Sequence, residues 1–295
     1  MLLKFAGLEF QGIIQSVSGK LNRMEKLLFG ISGLPAFSGI KGINYASGIG
    51  YLKSIGLDAM ELLFVRSVNV TDNNKDLILK TKIENGFYLS AHASYYINLN
   101  AADHMKQDDS LKRIVRAREA LINVGGRSLV FHPGYYLKST KEDALRTIQS
   151  NLLKLPSGGV DYRLETTGKS TQFGTLEELV AICREVGSCK LCIDFAHMHA
   201  RQNGGLKRYD DFAGILRYVS GQLGSNALKD LHIHMGGIRY NAKGEIRHLP
   251  LEESDFNYRD CLHALKDFNA AGCVVAEGPL LEKDALLLKE TYHKL

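Results

Sequence analysis

Metal-capable side chains stand at the ends of six short apolar runs in the sequence of 295 residues. They are His92, His132, Glu165, Asp194, His234 and Glu277. His197 follows three residues after Asp194, and His248 lies in the segment after His234. Imidazole and carboxylate ligands together suit zinc or manganese, and the absence of cysteine from the set argues against a closed structural zinc site. A carboxylate such as Glu165 that bridged two ions would suit hydrolysis of a phosphoester.

Eight apolar runs would have to position these residues. The runs begin near Lys26, Ala59, Tyr88, Ser128, Asp161, Lys190, Asp230 and Cys273. Successive runs start about 29 to 43 residues apart, which leaves room for one strand, one helix and two loops. The intervening segments have the pattern of amphipathic helices: after Gln107, for example, Leu111, Ile114 and Leu121 recur at helical spacing.

Continuous apolar strands separated by helices predict parallel pairing with both faces of the sheet covered. Eight strand–helix units favour a closed (β/α)8 TIM barrel of the α/β class. An open doubly wound sheet stays an alternative if some runs are not strands. In the barrel, the carboxyl ends of the strands form the face that carries the active site. Three carboxylates and five imidazoles would be costly to collect there without cations that neutralise the acids.

Residues 24–295 are predicted to form this barrel as one domain, because no proline-rich linker or charge block divides them. Residues 1–23 would be a short N-terminal extension without an assigned role. The apolar start contains Glu9 and lacks a small-residue cleavage pattern, so it does not predict a signal peptide. The chain has no run of about 20 apolar residues, so we expect no membrane association. Its number of cysteines is odd, which does not describe a disulfide framework, so we expect a cytoplasmic location.

Charge and local motifs exclude several other classes of protein. The formal charge of +5 permits an anionic partner, but the basic residues form no dense stripe typical of a simple nucleic-acid binder. The GKST at residues 168–171 lacks the earlier glycine of a P-loop because Arg163 stands there, so no nucleotide cofactor is expected. The CxxC of Cys189 and Cys192 is interpreted as core packing, and residues 236–245 as a flexible active-site loop.

The segments around the candidate ligands share an arrangement with a known family. They are HASYYINL from His92, FHPG from Phe131, ETTGKSTQFG from Glu165, IDFAHMHA from Ile193, HMGGI from His234 with HLPLEES from His248, and AEGP from Ala276. In this order they resemble the metal-site motifs of the endonuclease IV family of apurinic/apyrimidinic endonucleases, over nearly the whole chain after its first two dozen residues. The resemblance implies a TIM barrel that cleaves double-stranded DNA on the 5′ side of abasic sites, leaving a 3′-hydroxyl and a 5′-deoxyribose phosphate.

The same resemblance implies a trinuclear zinc site. The first ion would be held by His92, His132 and Glu165, the second by Glu165, Asp194, His234 and Glu277, and the third by His197 and His248. We assign the catalytic role to Glu165 and Glu277, and Tyr95 matches a family position near the DNA. Zn²⁺ is therefore the expected cofactor, as two or three ions, with Mn²⁺ as an alternative.

Two positions depart from the family pattern. The third site usually takes an Asp two residues before its second His, and here that position is Ile246; the adjacent Glu245 is the candidate replacement. Ala93 stands where the family has an Asp after the first His, so the residues that orient His92 as a ligand are expected to differ from those of the family. In the seventh run, His232 is expected to point away from His234, which makes His234 the expected ligand.

Two other functions compete with the nuclease. A sugar isomerase or epimerase of the xylose isomerase-like superfamily needs a single divalent ion. The residues implied for the second ion, which are Glu165, Asp194, His234 and Glu277, would hold such an ion by themselves. The remaining histidines favour the nuclease, because a mononuclear isomerase does not need them together; they are His92, His132, His197 and His248. The loss at Ile246 motivates a third hypothesis, a catalytically degenerate protein that binds metal and DNA.

Overall fold

The barrel strands coincide with the eight predicted runs. The computed structural model describes residues 26–295, and within them eight parallel strands close into a barrel. The strands are β1 (Leu27–Ser32), β2 (Ala59–Leu63), β3 (Tyr88–His92), β4 (Ser128–Phe131), β5 (Asp161–Glu165), β6 (Cys189–Asp194), β7 (Leu231–Met235) and β8 (Gly272–Ala276). The predicted (β/α)8 fold is confirmed, and the open-sheet alternative is wrong because β8 pairs with β1. The predicted extension at residues 1–23 lies outside the described residues.

The strands are buried on both faces, as their continuous apolar runs predict. Every residue of β4 and of β8 is buried, because one face of each strand fills the barrel and the other packs against helices. Cys189 and Cys192, the two cysteines of the CxxC in β6, are both buried and unbonded to each other, which agrees with the core-packing interpretation.

Helices connect the strands and cover the outside of the barrel. They are α1 (Tyr45–Ser54), α2 (Lys75–Glu84), α3 (His104–Asn123), α4 (Lys141–Leu152), α5 (Leu176–Glu185), α6 (Phe195–Arg201), α7 (Tyr209–Leu223), α8 (Tyr258–Asp267) and α9 (Glu282–Lys294), with 3-10 turns at Ser225–Lys229 and Leu251–Glu253. Local signals begin several of them; Thr175 and Glu178, for example, form a capping box at the start of α5. None of these described helices combines the length and hydrophobicity that a membrane span requires.

Residues 236–245 are mostly part of a β-hairpin, so their interpretation as a flexible loop is wrong. The strands Gly237–Asn241 and Gly244–Leu249 pair in antiparallel fashion beside the barrel mouth. Ile238 packs with Ala196 and Ala200 of α6. Backbone pairing and this apolar contact therefore fix the hairpin against the helix that carries His197.

Gly272 begins β8 at a point where a side chain has no room. Its φ is +139°, and a Cβ atom there would lie 2.0 Å from the carbonyl oxygen of Leu231 on the neighbouring strand. We expect Gly272→Ala to lower the free energy of unfolding by about 2 to 4 kcal/mol, because a paired barrel strand cannot move away without losing hydrogen bonds. Denaturant unfolding would measure this change.

Gly50→Ala is the matched control for Gly272→Ala. Gly50 lies inside α1 with open space where a Cβ would be added, so we expect a gain of up to about 1 kcal/mol from helix propensity. Equal unfolding free energies for Gly272→Ala and the wild-type protein would contradict the steric argument.

Candidate metal centre

The eight candidate ligands lie together at the carboxyl-terminal face of the barrel. His92, Glu165 and Asp194 end β3, β5 and β6, His132 and Glu277 directly follow β4 and β8, His234 is in β7, His197 is in α6, and His248 is in the second hairpin strand. Parallel strands in a barrel end at one face, so residues from distant parts of the chain meet there. The structure brings together every candidate ligand that the sequence analysis named.

Glu165 is the centre of this cluster. Its Oε2 lies 3.0 Å from His92 Nε2 and 2.8 Å from His132 Nε2. Its Oε1 lies 3.2 Å from His197 Nδ1 and 3.2 Å from His234 Nδ1. The side chain is almost completely buried. One carboxylate therefore contacts four imidazoles that come from four separate parts of the chain.

The donor atoms form three adjoining groups. The groups are His92, His132 and Glu165; Glu165, Asp194, His234 and Glu277; and Asp194, His197 and His248. Within each group the donor atoms lie within 4.8 Å of one another. Glu165 belongs to the first and second groups, and Asp194 belongs to the second and third. Carboxylates shared in this way can each bridge two ions.

Several short contacts between donor atoms are not hydrogen bonds. His132 Nε2 lies 2.8 Å from Glu165 Oε2 without forming one. Asp194 Oδ2 lies 3.1 Å from His197 Nδ1 and likewise has no hydrogen-bond partner in the described part of the chain. Two ligands at the usual distance from one tetrahedral zinc ion would be about 3.3 Å apart. Donor atoms this close that do not point at each other fit a common cation between them.

The acids and imidazoles perturb each other strongly. Burial alone would raise the pKa of Glu165, but the facing imidazoles of His132 and His234 outweigh burial and hold this pKa well below its ordinary value. Burial, helped by the charges of Glu277 and Glu165, raises the pKa of Asp194 to about 6 against the opposing charge of His197. In the metal-free protein, neighbouring carboxylates raise the pKa values of His197 and His234 against the effect of burial, and the charged forms of these two imidazoles offset the buried negative charge.

Sequence comparison assigns this barrel to a family. A family model described as a xylose isomerase-like TIM barrel matches residues 49–291. The chain belongs to this family. An uncharacterized protein of Methanocaldococcus jannaschii is 44% identical over 283 residues, which cover 93% of this chain and 100% of that relative. A probable endonuclease 4 of Mycoplasma genitalium is 30% identical over 168 residues, which cover 53% of this chain and 55% of that relative, so the match spans about half its length.

Solved structures of two kinds of enzyme share the xylose isomerase-like fold with this chain. A D-tagatose 3-epimerase-like protein superposes with a TM-score of 0.69 at 19% identity, covering 91% of this chain and 96% of the other. The endonuclease IV of Thermus thermophilus superposes with a TM-score of 0.66 at 19% identity, covering 90% and 98%. These likenesses show the fold alone. The resemblance to endonuclease IV is confirmed by the curated relatives named probable endonuclease 4.

A buried carboxylate that was not predicted from the sequence lies beneath the candidate metal centre of this xylose isomerase-like barrel. Glu61, in the middle of β2, is completely buried, and its Oε2 lies 2.9 Å from His232 Nε2. His232 therefore points into the barrel, as His234 does, and the prediction that it points away is wrong. Residues two apart on a strand share a face. The signal that could have found Glu61 is an acidic residue within the apolar run AMELLF.

A β-bulge decides which hairpin residue faces the third group. The register of the hairpin shifts by one residue at Ile246, which has no partner in the ladder. A bulge shifts the alternation of side chains, so Glu245 shares a face with His248 while the Ile246 side chain is largely exposed. Glu245 Oε2 lies 3.6 Å from His197 Nε2. Glu245, which stands next to the position where the family has its Asp, therefore lies beside His197, one member of the third group.

Tyr95 lies at the rim of the candidate metal centre. Its ring centroid is 5.2 Å from that of His92 and 6.4 Å from that of His132. The residue is 57% exposed, so its ring contacts the candidate ligands on one side and is open on the other. This placement makes the ring accessible to a molecule bound at the mouth, and its contact with DNA stays a prediction.

The pKa shifts predict opposite effects of pH on the metal-free and metal-loaded proteins. Burial would lower the pKa values of His197 and His92, but neighbouring carboxylates outweigh it and raise both. Their charged forms therefore stabilise the metal-free fold below the unfolded value of about 6.5, and this stabilisation is lost as pH rises through the folded pKa values. Metal ions require deprotonated imidazoles, so their binding strengthens over the same range.

We therefore expect the difference in melting temperature between metal-loaded and chelator-treated protein to increase from about pH 6 to about pH 8. Thermal unfolding at both pH values, with and without chelator, measures this difference. A difference that stays constant or shrinks as pH rises would contradict the proposed competition between protons and cations.

Proposed function

We propose that the protein is a metal-dependent endonuclease that hydrolyses the phosphodiester on the 5′ side of abasic sites in double-stranded DNA, leaving a 3′-hydroxyl and a 5′-deoxyribose phosphate. The observation that carries this proposal is the sharing of Glu165 and Asp194 between three adjoining donor groups. Hydrolysis of a phosphodiester uses adjacent cations to act on both the attacking and the leaving oxygen. An isomerase with one ion would need only the second donor group and has no use for the first and third groups.

Two or three zinc ions are the cofactor that we propose, with manganese as the alternative, and each bound ion would occupy one donor group. Such ions would supply positive charge to the phosphodiester and lower the pKa of water. The ligand sets contain nitrogen and oxygen donors that suit both metals. The short contacts without hydrogen bonds, at His132 and Asp194, are the structural support for filling these groups with cations.

The protein's own carboxylates would act on the substrate in different ways. Burial would raise the pKa of Glu277, but the charge of His234 outweighs it and lowers this pKa to about 2. Glu277 thus stays ionised at neutral pH, and it is more accessible than Glu165, so it can orient the attacking water by accepting a hydrogen bond from it. Glu165 is enclosed by four imidazoles and would position the ions of the first and second donor groups. Tyr95 would contact a nucleotide next to the lesion.

A sugar isomerase or epimerase is the second candidate. The group of Glu165, Asp194, His234 and Glu277 would hold a single ion by itself, and an epimerase-like protein shares the fold. Proton transfer at carbon would then be carried out by carboxylates of this group. The histidines outside this group favour the nuclease, because an enzyme with a single ion does not need them together; they are His92, His132, His197 and His248. A protein that binds metal and DNA without cutting is the third candidate.

Incision of a duplex that contains one abasic analogue tests the proposal. We expect metal-loaded protein to cut the strand once, 5′ to the lesion, and chelator to abolish cutting until Zn²⁺ or Mn²⁺ is restored. Elemental analysis of the same samples counts the ions. Absence of cutting by metal-replete protein, together with interconversion of aldoses and ketoses or epimers, would establish the isomerase. Binding of the abasic duplex without any cutting would establish the degenerate protein.

The reach of Glu245 toward His197 leads to a prediction about the third ion. We expect Glu245→Ala to lower the number of bound ions by one and to reduce incision by about 10- to 100-fold, because a third ion beside His197 would lose a carboxylate ligand that we propose in addition to the third group. Elemental analysis and initial rates measure the two effects.

Ile246→Ala is the control for Glu245→Ala, since its side chain is largely exposed and lies in the bulge. We expect this variant to keep the wild-type ion count and rate. Equal ion counts in Glu245→Ala and the wild-type protein would remove Glu245 from the third site.

A further inference from the structure

A second layer of buried polar side chains lies beneath the metal centre, inside the barrel. We call Glu61, Ser90 and His232 the inner layer. All three are fully buried and come from β2, β3 and β7. An ionised carboxylate in such a place is costly unless hydrogen-bond donors surround it, so the arrangement of the donors around Glu61 determines what it can do.

The two oxygens of Glu61 have different surroundings. Oε2 accepts a hydrogen bond from Ser90 Oγ at 2.9 Å and lies 2.9 Å from His232 Nε2. Oε1 lies 3.1 Å from His234 Nε2, and among the described residues neither of these two atoms has a hydrogen-bond partner. Ser90 and His232 therefore hold one oxygen, and the other oxygen lies beside His234 without a hydrogen-bond partner of its own among the described residues.

His234 lies between carboxylates on opposite edges of its ring. Nδ1 is hydrogen-bonded to Glu165 Oε1 at 3.2 Å and lies 3.4 Å from Glu277 Oε1, while Nε2 lies 3.1 Å from Glu61 Oε1 without a hydrogen bond. A neutral imidazole carries one hydrogen, so it can present a lone pair at one nitrogen only. Glu165 and Glu61 would draw this hydrogen to opposite sides of the ring. A carboxylate only accepts, so the hydrogen bond to Glu165 puts a hydrogen on Nδ1 in the metal-free protein. A cation that took Nδ1 as its ligand would need the lone pair there, and the one hydrogen of the neutral ring would then be on Nε2, beside Glu61.

We propose that Glu61 is a positioning residue for the metal centre: when a cation takes Nδ1 of His234 as its ligand, Glu61 Oε1 accepts the ring hydrogen at Nε2 and holds the lone pair of Nδ1 toward the second group. Ser90 and His232 hold Glu61 in place for this task. A carboxylate behind a metal-bound histidine fixes its tautomer and orientation and strengthens it as a ligand. The inference rests on the proposed metal centre, but it holds for any cation there and for either proposed enzyme activity.

Cys192 offers a competing explanation of the same layer. Its thiol and donor atoms of His232 and His234 lie within 4.8 Å of one another, so they could form a separate inner ion site. An ion bound there through Nε2 of His234 would leave no hydrogen on this nitrogen for Glu61, so the inner ion site and the positioning role exclude each other. The positioning role needs no thiolate inside the barrel.

Glu61→Gln is the decisive variant, because it keeps the size of the side chain and removes its charge. We expect Zn²⁺ affinity, measured by competition with a chromophoric chelator, to fall by about 10- to 100-fold. The visible spectrum of Co²⁺-substituted protein should change in band position or intensity. Glu282→Gln is the matched control: Glu282 is a buried carboxylate that accepts hydrogen bonds from the backbone of Ala36 and Phe37, and its replacement should alter neither readout.

The wild-type protein provides a second test that does not depend on the folding of a variant. In Zn²⁺-loaded protein with ¹⁵N-labelled histidine, we expect the ring hydrogen of His234 to be on Nε2. An Nε2 without hydrogen would overturn the proposal, as would unchanged Zn²⁺ affinity and Co²⁺ spectrum in folded Glu61→Gln. Loss of one bound ion in Cys192→Ala would also overturn it in favour of an inner ion site.

The two proposals can fail separately. If wild-type protein does not cut abasic DNA but Glu61→Gln still weakens Zn²⁺ binding, the nuclease is wrong and the positioning role stands. If the wild-type protein cuts and Glu61→Gln binds Zn²⁺ as tightly as wild type, the nuclease stands and the positioning role is wrong.

Discussion

Replacing Glu165 by glutamine is expected to reduce incision of abasic duplex by about three orders of magnitude, which corresponds to about 4 kcal/mol of transition-state stabilisation. Glu165 contacts four imidazoles and belongs to two donor groups, so the amide would weaken two adjoining cation sites at once. Single-turnover incision rates and the number of bound ions, measured on the same preparation, test this expectation.

Asp58→Asn is the control for Glu165→Gln. Asp58 immediately precedes β2 at the opposite end of the barrel, where it forms ion pairs with Lys53 and Lys289. The same carboxylate-to-amide change there should leave the ion count and the incision rate unchanged. If Glu165→Gln kept the wild-type ion count and lost less than about tenfold in rate, Glu165 would not be a shared ligand.

Replacing His132 by alanine should separate the nuclease from a mononuclear isomerase. His132 belongs to the first donor group and not to the group that could hold a single ion. We expect about a 100-fold loss of incision, or about 2.7 kcal/mol, because the first cation loses one of its ligands. The number of bound ions should fall by one.

His263→Ala is the control for the histidine replacement, because His263 is half exposed on α8 beside Asp267. Incision by this variant should equal that of the wild-type protein. If His132→Ala also cut at the wild-type rate, the first donor group would have no role in hydrolysis, and the single-ion enzyme would become the better explanation.

The barrel and the face that carries the site follow from the amino-acid sequence alone. Apolar runs such as SLVF and CVVA predict buried parallel strands, and a closed barrel puts the ends of all such strands on one face. Residues that end strands far apart in sequence, such as His92 and Glu277, could thus be placed near each other before any distance was known. This inference needs only the direction and the end of each strand.

Which side chains touch each other depends on the three-dimensional packing. The hydrogen-bond register of the hairpin, with its bulge at Ile246, brings Glu245 to the third group, and no local spacing indicates where a bulge falls. Glu61 and His232 meet inside the barrel, although they lie on different strands and are 171 residues apart in sequence. The strand pattern tells whether a residue faces the interior, but which residues meet inside depends on the packing of all eight strands around one axis.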